Sequence, residues 1–233
     1  MTAIPDVGVV IVAAGSGTRA AGAGRELKQF RWVAGKPMLL HSLQLFHDRQ
    51  DVAMVVCVLP AHVAGDPPPW LFQCDTERLQ VVPGGAARAD SVRYGLEDLP
   101  DVCQYVLIHD AARPLATAEM VERVVNETRK GHAAIPALPV VDTLKRAGDD
   151  GRIAGTTDRR GLWRAQTPQG FPREMIIRAH EHALSTSANA TDDAALCEAL
   201  GMPVAIVRGS ERAMKVTEEG DFARLEAWQY LPD

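Results

Sequence analysis

The sequence lacks an apolar run long enough to cross a bilayer and lacks a secretory leader pattern. A membrane-spanning helix needs about 18 or more apolar residues, so we expect no membrane partner. C-x-x-C pairs are also missing, because the four cysteines (Cys57, Cys74, Cys103 and Cys197) are scattered. A zinc site is therefore not expected. Cys57 and Cys103 lie in or beside apolar runs and are interpreted as buried thiols. Because no secretory pattern and no long apolar run is seen, a reducing, cytoplasmic setting is the default expectation.

A surplus of basic residues is absent as well. The chain has 25 basic and 30 acidic residues and a formal net charge of −5. Proteins that bind a nucleic-acid backbone usually carry a basic surplus or a basic run. We therefore expect no nucleic-acid partner, and any phosphate bound is expected to belong to a small molecule held by a local basic cluster. The 233 residues, 46% of them hydrophobic, indicate an ordinary globular composition.

Two familiar nucleotide signatures are incomplete. "GSGTRA" (15–20) fits the loose dinucleotide fingerprint G-x-G-x-x-A, but such sites also need an acid about 20 residues further on, after the next strand. Here that strand ends "VCVLPAH", without an acid, and no P-loop motif is present. What remains is a turn of small residues whose N–H groups can face phosphate, followed by Arg19 and Lys28. The alternative is a tight turn with solvated arginines, which is how Arg25 is interpreted.

The pattern of apolar runs predicts an α/β fold. Five β-branched or apolar runs alternate with helical patterns: Val7–Ala14, Val52–Pro60, "LQVV", "QYVLIHD" and "AAIPALPV". This order is typical of a Rossmann-like, mostly parallel twisted sheet flanked by helices. We expect one domain over residues 1–233. Within it, residues 138–160 are expected to form an inserted β-arm, because two short polar strands surround the turn signal "GDDG".

Polar clusters follow four of the predicted strands. In parallel sheets the ligand crevice lies at the carboxyl ends of the strands, so these clusters are expected on one edge. They are the glycine loop, the pair Gly84 and Gly85, the pair Asp110 and Arg113, and the pair Asp142 and Thr143.

Several of these residues have a plainer interpretation beside the functional one. Asp110 can accept a hydroxyl proton or hold a water on Mg²⁺, or it can pair with Arg113 and only shape the turn. Asp90 or Ser91 can simply cap a helix. His109 is interpreted as packed rather than catalytic, and Trp163 and Phe171 as packing residues.

Other polar residues are candidates for a phosphorylated polyol. Thr143, Arg159 and Thr167 lie in or after the predicted arm, and their alternative role is solubility. Lys215 is a lone lysine between apolar residues that can hold a phosphate. The run "TDDA" (191–194) can be only the acidic start of a helix.

Taken together, "AAGSGTR", "LKQF", "GGAARADSV", "HDAARP", "DTLKR", "DRRGLWRAQTPQGF", "TDDA" and "MKVT" resemble one family, 2-C-methyl-D-erythritol 4-phosphate cytidylyltransferase of the non-mevalonate isoprenoid pathway. The motifs occur in order from about residue 7 to 229. The resemblance implies that CTP and methylerythritol phosphate give the CDP-linked alcohol and pyrophosphate, with Mg²⁺. Because Mg²⁺ keeps several waters, we expect it to bind mainly through the CTP phosphates, with few dedicated protein ligands. It also implies a homodimer that exchanges the arm.

The resemblance assigns roles to individual residues. Its catalytic group comprises Arg19, Lys28, Arg159 and Lys215. Its CTP-binding group comprises Ala13, Ala14, Gly15, Ser16, Gly17, Thr18, Arg19, Lys28, Gly84, Gly85, Ala86, Arg88, Ser91, Asp110 and Ala111. Its group for the methylerythritol phosphate comprises Asp110, Arg113, Thr143, Arg159, Thr167, Thr191 and Lys215. Thr143 and Arg159 are implied to serve the partner's site.

The chain departs from the family pattern in places. Val12 and Leu27 stand where proline is usual, the segment between Arg19 and Lys28 is longer and richer in glycine, "GGAAR" lacks an acid, and "TDD" replaces "TDE". Because lost prolines add loop entropy, we expect this loop to be mobile without CTP and to close on it. Some relatives are fused to a cyclodiphosphate synthase, which a chain ending at Asp233 is not expected to contain.

Two rival functions remain. One is a ribitol phosphate cytidylyltransferase or another sugar-phosphate nucleotidyltransferase, against which "DTLKR" and "GLWRAQTPQ" argue. The other is a non-catalytic or NAD-type dinucleotide-binding module, which predicts the missing acid and gives no reason for Lys28 and Lys215.

Overall fold

The computed structural model describes residues 5–15, 27–186 and 190–228. The strands in these ranges are β1 (Val7–Val12), β2 (Trp32–Val33), β3 (Lys36–Pro37), β4 (Val52–Leu59), β5 (Leu79–Pro83), β6 (Tyr105–Asp110), β7 (Ala133–Pro139), β8 (Leu144–Ala147), β9 (Ile153–Thr157), β10 (Trp163–Ala165), β11 (Gln169–Pro172) and β12 (Val204–Arg208). The helices are α1 (Met38–His47), α2 (Ala61–Ala64), α3 (Arg88–Glu97), α4 (Ala118–Thr128), α5 (Arg173–Thr186), α6 (Asp193–Ala199) and α7 (Gly220–Trp228).

Eight strands of the described residues form one sheet in the order β10-β7-β11-β6-β1-β4-β5, with β12 also paired to β7. The pairs β1–β4, β1–β6, β4–β5 and β12–β7 are parallel, whereas β10 and β11 run antiparallel to their neighbours. The α/β fold with a mostly parallel sheet, predicted from the alternating apolar runs, is confirmed.

The sheet separates two apolar layers because successive side chains of a strand point to opposite faces. Val9 and Ile11 of β1 pack into a cluster that includes Leu43 of α1 and Val124 of α4. Val10 packs into the other cluster, which includes residues of α3, α5 and α6. Both faces of β1 are therefore buried, which explains its continuous β-branched sequence.

The strands β10 and β11 were not predicted. They lie in "WRAQTPQGFP", where the peptide bond before Pro168 is cis. Trp163 is 43% exposed, so its interpretation as a packing residue is wrong; it lies on β10, a three-residue strand at the end of the sheet path. Phe171 on β11 is fully buried, as predicted.

The predicted hairpin around "GDDG" is present. β8 and β9 pair with each other in a separate two-stranded sheet, and their register shifts between Arg146 and Ala147. Apolar side chains on and beside this hairpin are exposed, including Val141 (65%) and Ile153 (69%). The arm therefore carries apolar surface that the described residues do not cover.

The described cysteines are all free thiols, and Cys57 and Cys103 are buried as predicted. Burial raises the pKa of Cys103 to about 11 and that of Cys197 to about 12. No helix in the described ranges combines the length and the apolar character that a bilayer crossing requires.

Candidate active site

The carboxyl ends of four parallel strands meet at one edge of the sheet. Val12, the last residue of β1, is in register with Val58 of β4 on one side and with Asp110 of β6 on the other. Leu59 of β4 is in register with Pro83 of β5. The segments after these strands are thereby brought side by side, which is the position expected for a ligand crevice.

Among the described residues, two adjoining clefts open at this edge. The large cleft has a volume of about 440 Å³ and is lined by Val12, Ala13, Ala14, Gly15, Lys28, Gln29, Met38, Gly85, Ala86, Ala87, Arg88, Ser91, Asp110, Ala111, Ala112 and Lys215. The small cleft has a volume of about 180 Å³ and is lined by Arg88, Asp110, Arg113, Ala165, Gln166, Thr167, Gln169, Thr191, Asp192 and Lys215. Arg88, Asp110 and Lys215 line both, and we call these three residues the shared wall.

Asp110 lies at the centre of the shared wall. Its Oδ1 accepts a hydrogen bond of 3.2 Å from Nε of Arg88, and its Oδ2 accepts one of 2.8 Å from Nζ of Lys215. Burial acts to raise the pKa of Asp110, but the charges of Arg88, Lys215 and Arg113 outweigh it and hold that pKa well below its usual range. Asp110 is therefore ionised near pH 7 and surrounded by cations.

Arg88 has a second carboxylate partner, which the sequence interpretation missed. Its Nη1 donates to Oδ2 of Asp193 over 2.7 Å, and Oδ1 of Asp193 lies 3.2 Å from Nε2 of the buried His180. Burial would lower the pKa of Arg88, but Asp193 and Asp110 raise it above its ordinary value. The acidic run was interpreted as a helix start, and Asp192 does cap α6 by accepting from the N–H of Ala195. Asp193 instead anchors Arg88.

The two glycines after β5 allow a close approach of protein to protein. A Cβ on Gly84 would lie 2.3 Å from Cβ of Ala14, so only glycine lets this turn pack against the end of β1. A Cβ on Gly85 would lie 2.3 Å from Cβ of Asp90. These glycines were expected to admit a base or phosphate, and they also serve the packing of the edge itself.

Asp90, not Ser91, closes the first turn of α3. The carboxylate of Asp90 accepts from the N–H of Ala87, the residue preceding the helix. The hydroxyl of Ser91 accepts from the N–H of Gly85 (3.1 Å) and donates to the carbonyl of Ala87 (3.2 Å). Ser91 therefore orders the turn at the wall of the large cleft.

The other side of the large cleft is held by Gln29, a second residue that the sequence interpretation missed. The side chain is 4% exposed, and its Nε2 donates to the carbonyls of Ala13 (2.6 Å) and Gly15 (3.2 Å). Its neighbour Lys28 donates to the carbonyl of Val216 over 2.8 Å and lines the cleft. The motif "LKQF" thus positions a cation and the start of the glycine loop together.

In the small cleft, the side chains of Arg113 and Thr167 form hydrogen bonds with neighbouring protein groups. Arg113 donates to the carbonyls of Ala213 (2.7 Å) and Ala165 (3.3 Å), and its Nε lies 4.0 Å from Asp110. Thr167 accepts from the N–H of Asp110 and lies 3.1 Å from Nδ1 of His109. Both residues brace the segment after β6.

His109 is packed, as predicted. It is fully buried, and its ring meets that of Phe46 edge to face at 5.2 Å. Burial lowers its pKa to about 4, so the imidazole is neutral near pH 7.

Some predicted site residues are not brought to the clefts. Thr143 and Arg159 are exposed on the arm and line neither cleft, and Nη1 of Arg159 donates to the carbonyl of Val141. Asp142 is likewise exposed, so its cluster does not border the clefts, whereas Gly15, Gly85 and the pair Asp110 and Arg113 do. Ser16, Gly17, Thr18, Arg19 and Arg25, and with them the expected closure of the glycine-rich loop, lie outside the described residues.

Comparison with known proteins agrees with this geometry at the level of the class, a nucleotidyltransferase. Residues 7–230 match the model of the family IspD, 2-C-methyl-D-erythritol 4-phosphate cytidylyltransferase, so the chain belongs to that family. It is 42% identical over 221 residues to the 2-C-methyl-D-erythritol 4-phosphate cytidylyltransferase of Cereibacter sphaeroides, covering 93% of this chain and 94% of the relative. The crystal structure of the enzyme of that name from Thermus thermophilus superposes with a TM-score of 0.81 at 34% identity, covering 97% of this chain and 100% of the other.

Longer relatives are similar too. The chain is 45% identical over 225 residues to the bifunctional enzyme IspD/IspF of Rhodospirillum rubrum, covering 94% of this chain and 56% of the relative. The chain thus spans about half the length of the bifunctional relatives that it matches.

Proposed function

We propose that the protein joins CTP to 2-C-methyl-D-erythritol 4-phosphate, giving 4-diphosphocytidyl-2-C-methyl-D-erythritol and pyrophosphate. The observation that carries the proposal is the shared wall. Arg88 and Lys215 border both clefts, so a phosphate in the small cleft and a triphosphate in the large cleft would meet the same cations. Family membership supports the identity of the two substrates.

The chemistry needs little from the protein besides position and charge. An oxygen of the polyol phosphate, already ionised at neutral pH, attacks the α-phosphorus of CTP. The bond from that phosphorus to the oxygen bridging to the β-phosphate breaks, and pyrophosphate leaves with the electron pair. No protein nucleophile is required. Lys28 and Lys215 would neutralise the negative charge that builds up, and Arg88 would hold a phosphate at the junction.

A divalent ion fits this arrangement when it is carried by the nucleotide. Both oxygens of Asp110 are engaged by cations, and no group of three or more histidine, cysteine or acidic side chains among the described residues is placed to hold a metal. Mg²⁺ would bind through the phosphate oxygens of CTP and keep several of its waters. When bound, it supplies neutralisation of phosphate charge.

The proposal includes a homodimer in which the arm completes the neighbouring site. It is supported by the positions of Thr143 and Arg159, which are exposed on the arm and line neither cleft of their own chain. The exposed apolar side chains of Val141 and Ile153 would be removed from water by packing against a partner surface. We also propose a cytoplasmic setting, because the described cysteines are free thiols.

Pyrophosphate release tests the proposal. Purified protein, CTP and Mg²⁺ are incubated with methylerythritol phosphate, with ribitol 5-phosphate, or with ATP in place of CTP. We expect release with CTP and methylerythritol phosphate at least tenfold above the other pairs. Lys215→Ala should lose at least a hundredfold in kcat/KM. Lys130→Ala is a matched control, because Lys130 also pairs with a carboxylate at 2.8 Å but lies outside both clefts.

Two results would contradict the proposal. A preference for ribitol 5-phosphate would reassign the substrate within the class. NAD binding without any pyrophosphate release from CTP would favour a dinucleotide-binding module. Against that module, β4 ends at Leu59 and is followed by Pro60, Ala61 and His62, with no acid for a ribose.

A further inference from the structure

Five side chains form one continuous series of polar contacts from the buried side chain of His180 on α5 to the shared wall. His180 contacts Asp193 (3.2 Å), Asp193 pairs with Arg88 (2.7 Å), Arg88 pairs with Asp110 (3.2 Å), and Asp110 pairs with Lys215 (2.8 Å). The first two members lie outside both clefts. We propose that Asp193 and His180 are positioning residues, which fix the guanidinium of Arg88 at the junction of the two clefts.

The two carboxylate oxygens of Asp193 contact different side chains. Asp193 is the first residue of α6 and is 1% exposed, and His180 on α5 is 5% exposed. One oxygen meets Nε2 of His180, and the other accepts from Nη1 of Arg88, the first residue of α3. A carboxylate that is buried and bonded on both sides has little freedom to rotate, so it holds its partner in one place.

Arg88 is consequently gripped from two sides. Asp193 accepts a hydrogen bond from Nη1 of Arg88, and Asp110 accepts one from Nε. Nη2 has no hydrogen-bond acceptor among the residues that the structure describes. A side chain of this length left to itself would sample many rotamers, and ordering it on ligand binding would weaken the binding. Fixing it beforehand leaves Nη2 for a substrate phosphate at the point where the two substrates meet.

A purely structural role for Asp193 is the competing explanation. A buried carboxylate paired with an arginine can serve only to satisfy the charge of each partner. The two explanations differ in one respect. If Asp193 acts through Arg88, its removal has little further effect once Arg88 is gone. If it only supports the fold, the two losses add.

A double-mutant cycle on kcat/KM for pyrophosphate release tests the inference, which rests on the proposed function. We expect Asp193→Asn and Arg88→Gln each to lower kcat/KM at least tenfold, and the double variant to lie within threefold of Arg88→Gln. His180→Gln should give a smaller loss that disappears in the Asp193→Asn background. Asp51→Asn is the matched control. Asp51 is a buried carboxylate that lies 2.8 Å from Arg49 and lines neither cleft, so the kcat/KM of this variant should stay within twofold of the wild type.

The inference is overturned if Asp193→Asn stays within twofold of the wild type, or if its loss recurs in full in the Arg88→Gln background. Thermal unfolding of every variant is measured alongside. If Asp193→Asn does not fold, His180→Gln replaces it in the double-mutant cycle with Arg88→Gln. That substitution leaves the ion pair between Asp193 and Arg88 in place. If the wild type releases no pyrophosphate, the proposed function fails, and the same cycle is run on calorimetric affinity for inorganic pyrophosphate, where the same non-additivity is expected.

Discussion

Lys215 and Asp110 stand 105 positions apart in the chain, and yet the ammonium of one lies 2.8 Å from the carboxylate of the other. The side chain of Asp110 is 11% exposed and that of Lys215 is 43% exposed. The carboxylate is fixed in the protein, whereas the lysine head reaches into the open clefts. Asp110 therefore acts as an internal counter-ion for cations that would otherwise face solvent.

Removing this counter-ion should strengthen anion binding while weakening turnover. In Asp110→Asn, Lys215 and Arg88 lose a competing negative charge. We expect the affinity for inorganic pyrophosphate to rise about threefold to tenfold, which corresponds to about 1 kcal/mol, and kcat to fall at least tenfold because the two cations lose their fixed positions. Isothermal calorimetry and steady-state kinetics measure the two effects. Weaker pyrophosphate binding in the variant would show that Asp110 attracts the cations into place rather than competing for them.

A methyl group at Gly84 should damage the edge of the sheet. A Cβ there would stand 2.3 Å from Ala14 and 2.9 Å from the hydroxyl of Ser91, so Gly84→Ala forces the turn away from β1. We expect about 1–3 kcal/mol of lost stability, as for other overpacked sites, and a raised KM for CTP. Chemical denaturation and kinetics measure both. Gly65→Ala is the control, because a Cβ at Gly65 meets no atom within 4 Å. Equal stability of the two variants would refute the packing explanation.

Much of this edge could be anticipated from the sequence, for a clear physical reason. Strands buried on both faces have continuous apolar, often β-branched sequences, so β1, β4 and β6 could be recognised. The polar residues directly after them were expected at the ligand crevice, because it lies at the carboxyl ends of parallel strands. The strands β10 and β11 leave no such pattern, because they are short, lie around Pro168, and depend on pairing with β7 and β6. The pair Arg88–Asp193 also joins residues that only tertiary folding brings together.

Gln29 illustrates a site residue that sequence patterns do not reveal, and it gives a further prediction. Gln29→Leu keeps the volume but removes the donor to the carbonyls of Ala13 and Gly15. Leaving a buried carbonyl unpaired costs about 1–3 kcal/mol, and the start of the glycine loop is no longer held. We expect a lower melting temperature and a KM for CTP that rises more than the KM for the polyol phosphate. The control is Gln104→Leu, since Gln104 is exposed and also bonds a carbonyl. A KM for CTP equal to that of the wild type would argue against this role.

His109 should make folding stability depend on pH. Burial lowers its pKa from 6.5 to about 4, so between these values the unfolded chain binds a proton that the folded protein does not. Stability contributed by this residue is therefore complete above pH 6.5 and falls as the pH drops towards 4, by about 3 kcal/mol in all. Urea unfolding between pH 4 and 7 measures the slope. His109→Phe removes the titrating group, and the slope should become shallower. An unchanged slope would mean that other groups dominate.

Mixing two inactive variants tests the shared site. Lys28 lies in the large cleft, whereas Arg159 lies on the arm. Lys28→Ala and Arg159→Ala should each be nearly inactive alone. If the arm serves the neighbouring chain, mixed dimers contain one intact site out of two, and a coexpressed mixture should recover up to about a quarter of wild-type activity. No recovery, with mixed dimers demonstrated by differential tags, would place the arm's function within its own chain.

The shared wall has a consequence for how the two substrates influence each other. Because the same arginine, aspartate and lysine border both clefts, a ligand in one cleft alters the charge that the other cleft presents. Binding of the two is then thermodynamically linked, and each must change the affinity for the other by the same factor. The affinity for the nucleotide is accordingly expected to depend on whether the polyol phosphate is bound, and the reverse.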